Sequence, residues 1–365
     1  MSLTIISLFL LVLSAWYVPF SLKKLLGFKK TVLPAQAAIF VLMAGYCGML
    51  IAGIYTLANP AVAAAYNILG LFLIFQLYLF FYLLVVWILR PLLKKVSDKG
   101  IAAFGLLLCI GLVGFGFVRA QTFTVTKRQI SVHNLARPVT IMHIPDLHLG
   151  AQRSEAYLKK VIAAIQQYNP DLVLYNGDLV DSNIALREEL FALFKNVEAE
   201  QYFTTGNHEF YLNTDKALKL IKNAGIRILH SELVETHGLQ LIGMDYMNAD
   251  RITYDAHVVN NLTIEEELPK IQRSAEFPVI LAHHSPVGMQ YASQGNIDVM
   301  LAGHTHGGQV FPGAVIIGLR FPMNKGRYQI DSTTLLVSQG AGTFGPWMRL
   351  GTFNELQFIT LVPAE

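Results

Sequence analysis

Cysteine is nearly absent from this 365-residue chain, and the two present, Cys47 and Cys109, both lie inside apolar runs. A disulfide framework and a cysteine-based zinc site are thereby excluded for everything beyond Cys109. Charge is scarce as well: 15% of residues are Asp, Glu, Lys or Arg against 53% hydrophobic, which rules out a disordered chain and an ordinary soluble enzyme. The scarcity is uneven. Residues 1–120 hold nine basic side chains and a single acid, net +8, whereas residues 121–365 hold nineteen and twenty-four, net −5. With the positive charge gathered beside apolar runs, the overall +3 offers no nucleic-acid footprint.

Four runs contain no Asp, Glu, Lys or Arg: 3–20, 33–57, 61–89 and 101–118. Each is long enough to cross a bilayer, which takes about 17 to 25 apolar residues. The start, Met-Ser-Leu-Thr, lacks a basic n-region, so the first run reads as a span and not as a cleaved signal. Lys23, Lys24, Lys29 and Lys30 fill the first connector and Arg90, Lys94, Lys95 and Lys99 the third, while Ala58-Asn59-Pro60 has no charge. The positive-inside rule then puts both basic loops in the cytoplasm. The N-terminus and everything after Val118 fall on the far side, periplasmic or extracellular, against a modest contrary pull from Arg119, Lys127 and Arg128. With Asn67 and Gln76 as the conspicuous amides within the runs, the bundle reads as an anchor with interhelical hydrogen bonds, not as a transport path.

Beyond residue 120, short apolar runs alternate with amphipathic stretches, the pattern of layered α/β structure. Residues 139–144 read as a strand, 154–167 as a helix with Tyr157, Val161, Ile162 and Ile165 at helical spacing, and 172–175 as the next strand. An amphipathic stretch at 185–197, a helix at 214–223 and short strands at 239–243, 279–282 and 299–301 follow. Each apolar run stops against a polar cluster. The clusters are Asp146-Leu147-His148, Gly177-Asp178-Leu179-Val180-Asp181, Gly206-Asn207-His208-Glu209, His283-His284-Ser285-Pro286 and Gly303-His304-Thr305-His306-Gly307-Gly308.

In open α/β sheets, ligands bind beyond the carboxyl ends of strands. Carboxylate, imidazole and amide oxygen without thiolate suit a hard or borderline divalent ion such as Mn, Fe or Zn. Asp-x-His and His-x-His would place two donors on one side of an extended strand end, because side chains alternate with period two. Asp178 is the natural bridge between two ions about 3.5 to 4 Å apart. The glycines before Asp178, Asn207 and His304 are expected to permit tight turns. Any one cluster also occurs as an ordinary loop or helix cap. Five in this order, each ending a strand, carry the reading.

The series resembles the calcineurin-like metallophosphoesterase superfamily, whose motifs run D-x-H, G-D-x-x-D, G-N-H-[E/D], H and G-H-x-H. The resemblance spans about residues 139–361. Gly303 to Gln309 with Phe311-Pro312, and the ending from Gly340-Ala341-Gly342 through Arg349-Leu350-Gly351, are similar to the membrane-anchored bacterial branch with N-terminal transmembrane helices. The fold implied is a four-helix α-helical transmembrane bundle over residues 1–119, followed over residues 120–365 by an α/β metallophosphoesterase domain, a β-sandwich flanked by helices around a dinuclear metal centre.

The resemblance implies two divalent metal ions, Mn favoured over Fe or Zn. Asp146, His148 and His306 would hold one with Asp178; Asn207, His284 and His304 would hold the other with Asp178. It implies that His208 faces the phosphate as the catalytic imidazole and that a metal-activated hydroxide is the nucleophile. His284 is chosen over His283 because the family commonly has His-x-Pro there and because alternation sends His283 to the opposite face. Asp181 and Glu209 read as supporting or capping groups. His133, His143, His230, His237 and His257 fall outside every motif.

The substrate implied is a phosphate mono- or diester. Segment 311–321, with Val315, Ile316, Ile317 and Leu319, directly follows the His-x-His motif, and Phe344, Trp347 and Met348 lie in a Gly-rich C-terminal loop. These residues are expected to pack in the second sheet. Were they an apolar rim instead, a lipid or lipid-linked nucleotide-sugar pyrophosphate would fit, as in relatives acting on UDP-linked diacyl sugars. A catalytically silent membrane module that binds a phosphorylated ligand is the reading from another class, and the full set of motif residues argues against it. The far-side topology has a direct check: protease added outside intact cells should cleave the C-terminal domain, and complete protection would reverse the orientation.

Overall fold

The computed structural model describes residues 3–252, 258 and 261–364, so His257 lies outside the described residues. The chain divides into two compact units. The first comprises Met1–Tyr55, Pro60–Arg119 and Gly345–Met348; the second comprises Thr56–Asn59, Ala120–Phe344 and Arg349–Glu365.

Four helices build the first unit: α1 (Leu3–Leu26), α2 (Leu33–Ile51), α3 (Pro60–Leu89) and α4 (Asp98–Ala120). All four are long and apolar enough to cross a membrane. Helix α1 runs past the apolar stretch and carries Lys23 and Lys24 into its last turn, at the negative end of the helix dipole. It stops at Gly27, whose φ of +73° takes the left-handed conformation while the Phe28 amide donates to the Lys23 carbonyl at 3.1 Å. Helix α2 is shorter than its apolar run, because the chain turns at Ala52-Gly53 into a single 3₁₀ turn, Ile54–Thr56. Between helices, buried Gln76 donates through Nε2 to the Ser14 carbonyl (3.0 Å) and the Tyr82 hydroxyl donates to the Ile101 carbonyl (2.7 Å). Val18, Leu79, Phe80, Leu83 and Cys109 form the unit's core.

Among the described residues, the second unit is a sandwich of two six-stranded sheets. Its strands are β1 (Phe123–Val132), β2 (Val139–His143), β3 (Leu172–Asn176), β4 (Glu200–Thr204), β5 (Arg227–Ile228), β6 (Glu232–Thr236), β7 (Leu239–Gly243), β8 (Val279–Ala282), β9 (Val299–Ala302), β10 (Gly326–Ile330), β11 (Thr333–Val337) and β12 (Asn354–Pro363). One sheet has the order β1-β12-β2-β3-β4-β5 and the other β10-β11-β9-β8-β7-β6. Within them β2, β3, β4 and β5 pair in parallel, as do β7, β8, β9 and β11. Parallel strands are covered on both faces, which is why β3, β8 and β9 read as unbroken apolar runs. Ile141, Leu174, Tyr202, Leu241, Ile280, Leu301 and Ile359 fill one core. Helix α5 (Glu155–Tyr168) buries Tyr157, Leu158, Val161, Ile162 and Ile165 in a second core that includes Val173, Tyr175 and Phe203.

The structure refines the sequence reading at three places. The amphipathic stretch 185–197 folds as short helical turns, Asn183–Ala185, Glu188–Phe191 and Ala192–Asn196. Segment 311–321 does not join the second sheet: it forms a short helix, Gly313–Gly318, with Val315 64% and Leu319 76% exposed. Strands β1, β5, β6, β10, β11 and β12 had no sequence-based assignment; β1 and β10 are half exposed and carry Lys127, Arg128 and Arg327 within them. Truncating a side chain at the centre of the second core tests the packing. Phe203→Ala, at a position with no exposure, should cost about 3 to 5 kcal/mol, read as a lowered denaturation midpoint by circular dichroism.

Candidate metal centre

Parallel strands end side by side, and their following loops continue the pairing. The Asp146 amide donates to the Gly177 carbonyl (3.0 Å), the His148 amide to the Asp178 carbonyl (2.9 Å) and the Asp181 amide to the Leu149 carbonyl (3.1 Å), so the loops after β2 and β3 are zipped together. In the other sheet the Gly303 amide donates to the His284 carbonyl at 2.8 Å. Motif residues from both sheets therefore face one another across the ends of the sandwich.

Three groups of buried or nearly buried donors result: Asp146, His148 and His306; His148, Asp178 and His208; Asp178, His284 and His304. Asp178 Oδ2 is central, 3.1 Å from His284 Nε2, 3.8 Å from His148 Nε2 and 3.9 Å from His208 Nε2. Its other oxygen accepts the His208 backbone N–H at 2.8 Å. His148 Nε2 lies 3.0 Å from His306 Nε2, and His304 Nδ1 lies 3.3 Å from His284 Nε2. His284 is oriented from behind, its Nδ1 2.8 Å from the Asn176 carbonyl. His283 does not join these groups; its Nδ1 lies 2.8 Å from the Ser285 carbonyl and its ring stacks on Tyr246.

The donors converge by a route other than strand alternation. Asp146, His148, Asp178, His304 and His306 all have positive φ, between +50° and +69°. Left-handed backbone costs a non-glycine residue roughly 1 to 2 kcal/mol, and such strain gathers at functional sites because the surroundings enforce it. The expected glycine turns also divide. Gly177 does take a left-handed φ of +79°, but Gly206 and Gly303 do not. They are small for a different reason: a Cβ on Gly206 would strike the Asp178 carboxylate, and one on Gly303 would strike Asp146 and Pro145.

Glu209 ties the motifs together. Its carboxylate accepts N–H bonds from Gly206 (2.8 Å), Asp178 (3.1 Å), Leu179 (2.8 Å) and Val180 (3.3 Å). Arg349, fully buried, donates to the carbonyls of His306 (2.8 Å), Gln339 (2.7 Å) and Gly342 (2.6 Å). No strand or turn pattern marks that arginine in the sequence; a lone cation in a Gly-rich loop is the signal that would have found it. Phe344 borders the centre, its ring centroid 4.5 Å from that of His208.

Electrostatically the centre is short of positive charge. Burial pushes the Asp146 carboxyl up to about 6. Burial and the neighbouring Asp178 push Asp181 well above the carboxylate range. Burial disfavours charge on Asp178 too, yet the adjacent His284 and His208 hold it well below the usual range. Burial likewise opposes charge on His284, but Asp178 and Asp146 raise it to about 10. Burial keeps His148 and His306 well below the ordinary imidazole range. The donor set fits a pair of divalent ions on a further observation: Asn207 Oδ1 is buried without a hydrogen-bond partner, while its amide donates to the Tyr211 hydroxyl at 3.1 Å. Harder oxygen donors and imidazoles without thiolate suit such ions.

Residues 139–308 match the family described as calcineurin-like phosphoesterase. An uncharacterized metallophosphoesterase of Helicobacter pylori is 28% identical over 246 residues, covering 66% of this chain and 64% of the relative. One from Aquifex aeolicus is 28% identical over 250 residues, covering 67% and 92%. The chain carries a calcineurin-like metallophosphoesterase domain. A Danio rerio protein named transmembrane protein with metallophosphoesterase domain is 28% identical over 329 residues, covering 82% of this chain and 73% of that one. The match to the Helicobacter relative spans just under two thirds of that relative's length.

Within the metallophosphoesterase domain, Glu209 is the residue whose loss separates support from ligation. Glu209→Ala should strand four backbone N–H groups and lower both stability and bound metal. Thermal unfolding with metal analysis checks this; full metal loading at unchanged stability would deny the role.

Proposed function

We propose that the chain is a membrane-anchored, dinuclear-metal-dependent phosphoesterase that hydrolyses phosphomono- or phosphodiester bonds, with residues 1–119 as anchor and 120–365 as catalytic domain. In this reading Asp146, His148 and His306 hold one ion and Asn207, His284 and His304 the other, with Asp178 shared. The observation that carries it is the pooling of these donors around Asp178 Oδ2 in groups that a cation would complete. Manganese is the favoured ion, and the catalytic domain faces the periplasm or the cell exterior.

Bound divalent ions would supply Lewis acidity, bringing the pKa of water from about 15.7 toward 7. The chain supplies the rest. The strained loops hold the donors in place before substrate arrives, so no reorganisation is needed at the moment of reaction. His208 stands beside Asp178 at the border of the donor groups and is 4% exposed, placing an imidazole where it can stabilise phosphate charge or give a proton to the leaving oxygen. Phe344 packs edge-on against the His208 ring and restricts its orientation.

The purified full chain should hydrolyse 4-nitrophenyl phosphate or bis(4-nitrophenyl) phosphate, with stimulation by Mn. Asp178→Asn should abolish turnover, and His208→Ala should lower kcat about 10² to 10⁴-fold with metal content retained. Full metal loading without turnover on either ester would favour a silent binding module instead.

A further inference from the structure

The loop from Gln339 to Gly342 passes directly behind His306. A Cβ on Gly340 would come within 3.1 Å of His306 Nδ1 and 2.9 Å of Asp146 Cβ, and that glycine holds a left-handed φ of +81°. The carbonyls of Gln339, Gly340 and Gly342 turn toward one point, and the Arg349 guanidinium fills it: Nη2 donates to them at 2.7, 3.3 and 2.6 Å. Buried carbonyls that converge in this way need a donor, and arginine offers N–H groups on all its guanidinium nitrogens in a rigid plane.

The same guanidinium reaches His306 twice. Nη1 donates to its carbonyl at 2.8 Å, and Nη2 lies 3.2 Å from ring Nδ1. Arginine has no acceptor, so Nδ1 is the receiving atom. Nε2 is the nitrogen left to face Asp146 Oδ1 (3.5 Å) and His148 Nε2 (3.0 Å). Metal-ligating imidazoles are ordinarily braced by a carboxylate or carbonyl that accepts from the remote nitrogen; a cation occupies that place behind His306. His306 also carries a φ of +50°, and a bond to its own carbonyl restrains the peptide in that strained state.

Arg349 is itself fixed at its inner end. Nε donates to Asn354 Oδ1 at 3.0 Å, and the Asn354 amide donates to the carbonyls of Ala120 (2.8 Å) and Thr122 (2.7 Å). Arg349 and Asn354 both have no exposure. A brace therefore runs from the residues ahead of β1 to a single metal donor. Among the described residues, the hydrogen bonds of Arg349 go to His306 and to none of Asn207, His284 and His304.

We propose that Arg349 is a positioning residue for one ion only: it sets the His306 ring, and with it the affinity of the position formed by Asp146, His148 and His306, and leaves the position of Asn207, His284 and His304 untouched. This rests on the ligand sets of the phosphoesterase reading above and adds what holds one of them in register.

The test is Mn titration of the purified full chain, with free Mn read by electron paramagnetic resonance, in two backgrounds that each keep one position. In His304→Ala, which keeps Asp146, His148 and His306, adding Arg349→Lys should raise the Kd about 10- to 100-fold, the usual cost of losing a ligand's outer support. Lysine retains an amine donor there but not the planar fork. In His148→Ala, which keeps Asn207, His284 and His304, the same substitution should leave the Kd within about twofold. General loosening of the fold would weaken both positions alike, and that result overturns the proposal. So does an unchanged Kd in the first background. Asn354→Ala, which keeps the guanidinium but removes the acceptor on Nε, covers the case of a lysine variant that does not fold: it should raise the Kd in the first background alone and by a smaller factor, and no shift there overturns the proposal as well. Binding of two Mn by the wild type without turnover of either nitrophenyl ester would end the phosphoesterase reading and leave the Kd comparison to decide the role of Arg349.

Discussion

Four carboxylates buried within one set of loops are the constraint that everything else in the second unit answers to. Asp146 and Glu209 have no exposure, Asp181 has 1% and Asp178 has 2%. An isolated buried charge is prohibitively costly, so each of these groups is neutralised, hydrogen-bonded or paired. Glu209 is met by four backbone N–H groups, Asp146 accepts the His304 amide, and Asp178 is faced by three imidazoles. Asp181 remains, with both oxygens lacking a hydrogen-bond partner and His148 Nδ1 3.8 Å away. The β-sandwich is the scaffold that makes such crowding tolerable, because its buried parallel strands fix the loop ends without help from the loops themselves.

Stability and function pull in opposite directions here. Five donor residues in left-handed backbone, at roughly 1 to 2 kcal/mol each, forfeit an amount comparable with the whole net stability of a domain. The cores of both sheets offset it. Positive φ also occurs away from the site, at His237 and Asp331 among others, so what distinguishes the donor loops is five such residues gathered around one centre.

The motif residues were legible because their chemistry is written in residue type and order. Asp146, His148, Asp178, Asn207, His284, His304 and His306 each follow an apolar run, and the position of a donor beyond a buried strand survives any uncertainty in strand limits. What was not legible is how the backbone aims them. Period-two alternation gave the right company for Asp146 and His148 by the wrong geometry, because residue type gives only a tendency toward left-handed backbone and does not say which Asp or His adopts it. Arg349 was noted as part of the C-terminal ending but its role was not, for a related reason: its partners are carbonyls of Gln339, Gly342 and His306, and a backbone oxygen has no sequence signature. Segment 311–321 was read as core from its apolarity alone, although Gly313, Gly318 and Pro312 favour a short turn held at the surface.

Strand β12 inserts between β1 and β2, pairing in parallel with the former over ten residues and antiparallel with the latter. Its neighbours are separated from it by more than two hundred positions of chain. During synthesis β1 emerges early and must wait, unpaired, until residues 354–363 leave the ribosome, so closure of this sheet is a late event governed by the slow encounter of distant segments. A transcript cut short before that stretch would yield a polypeptide with two naked strand edges, a natural target for quality-control proteases.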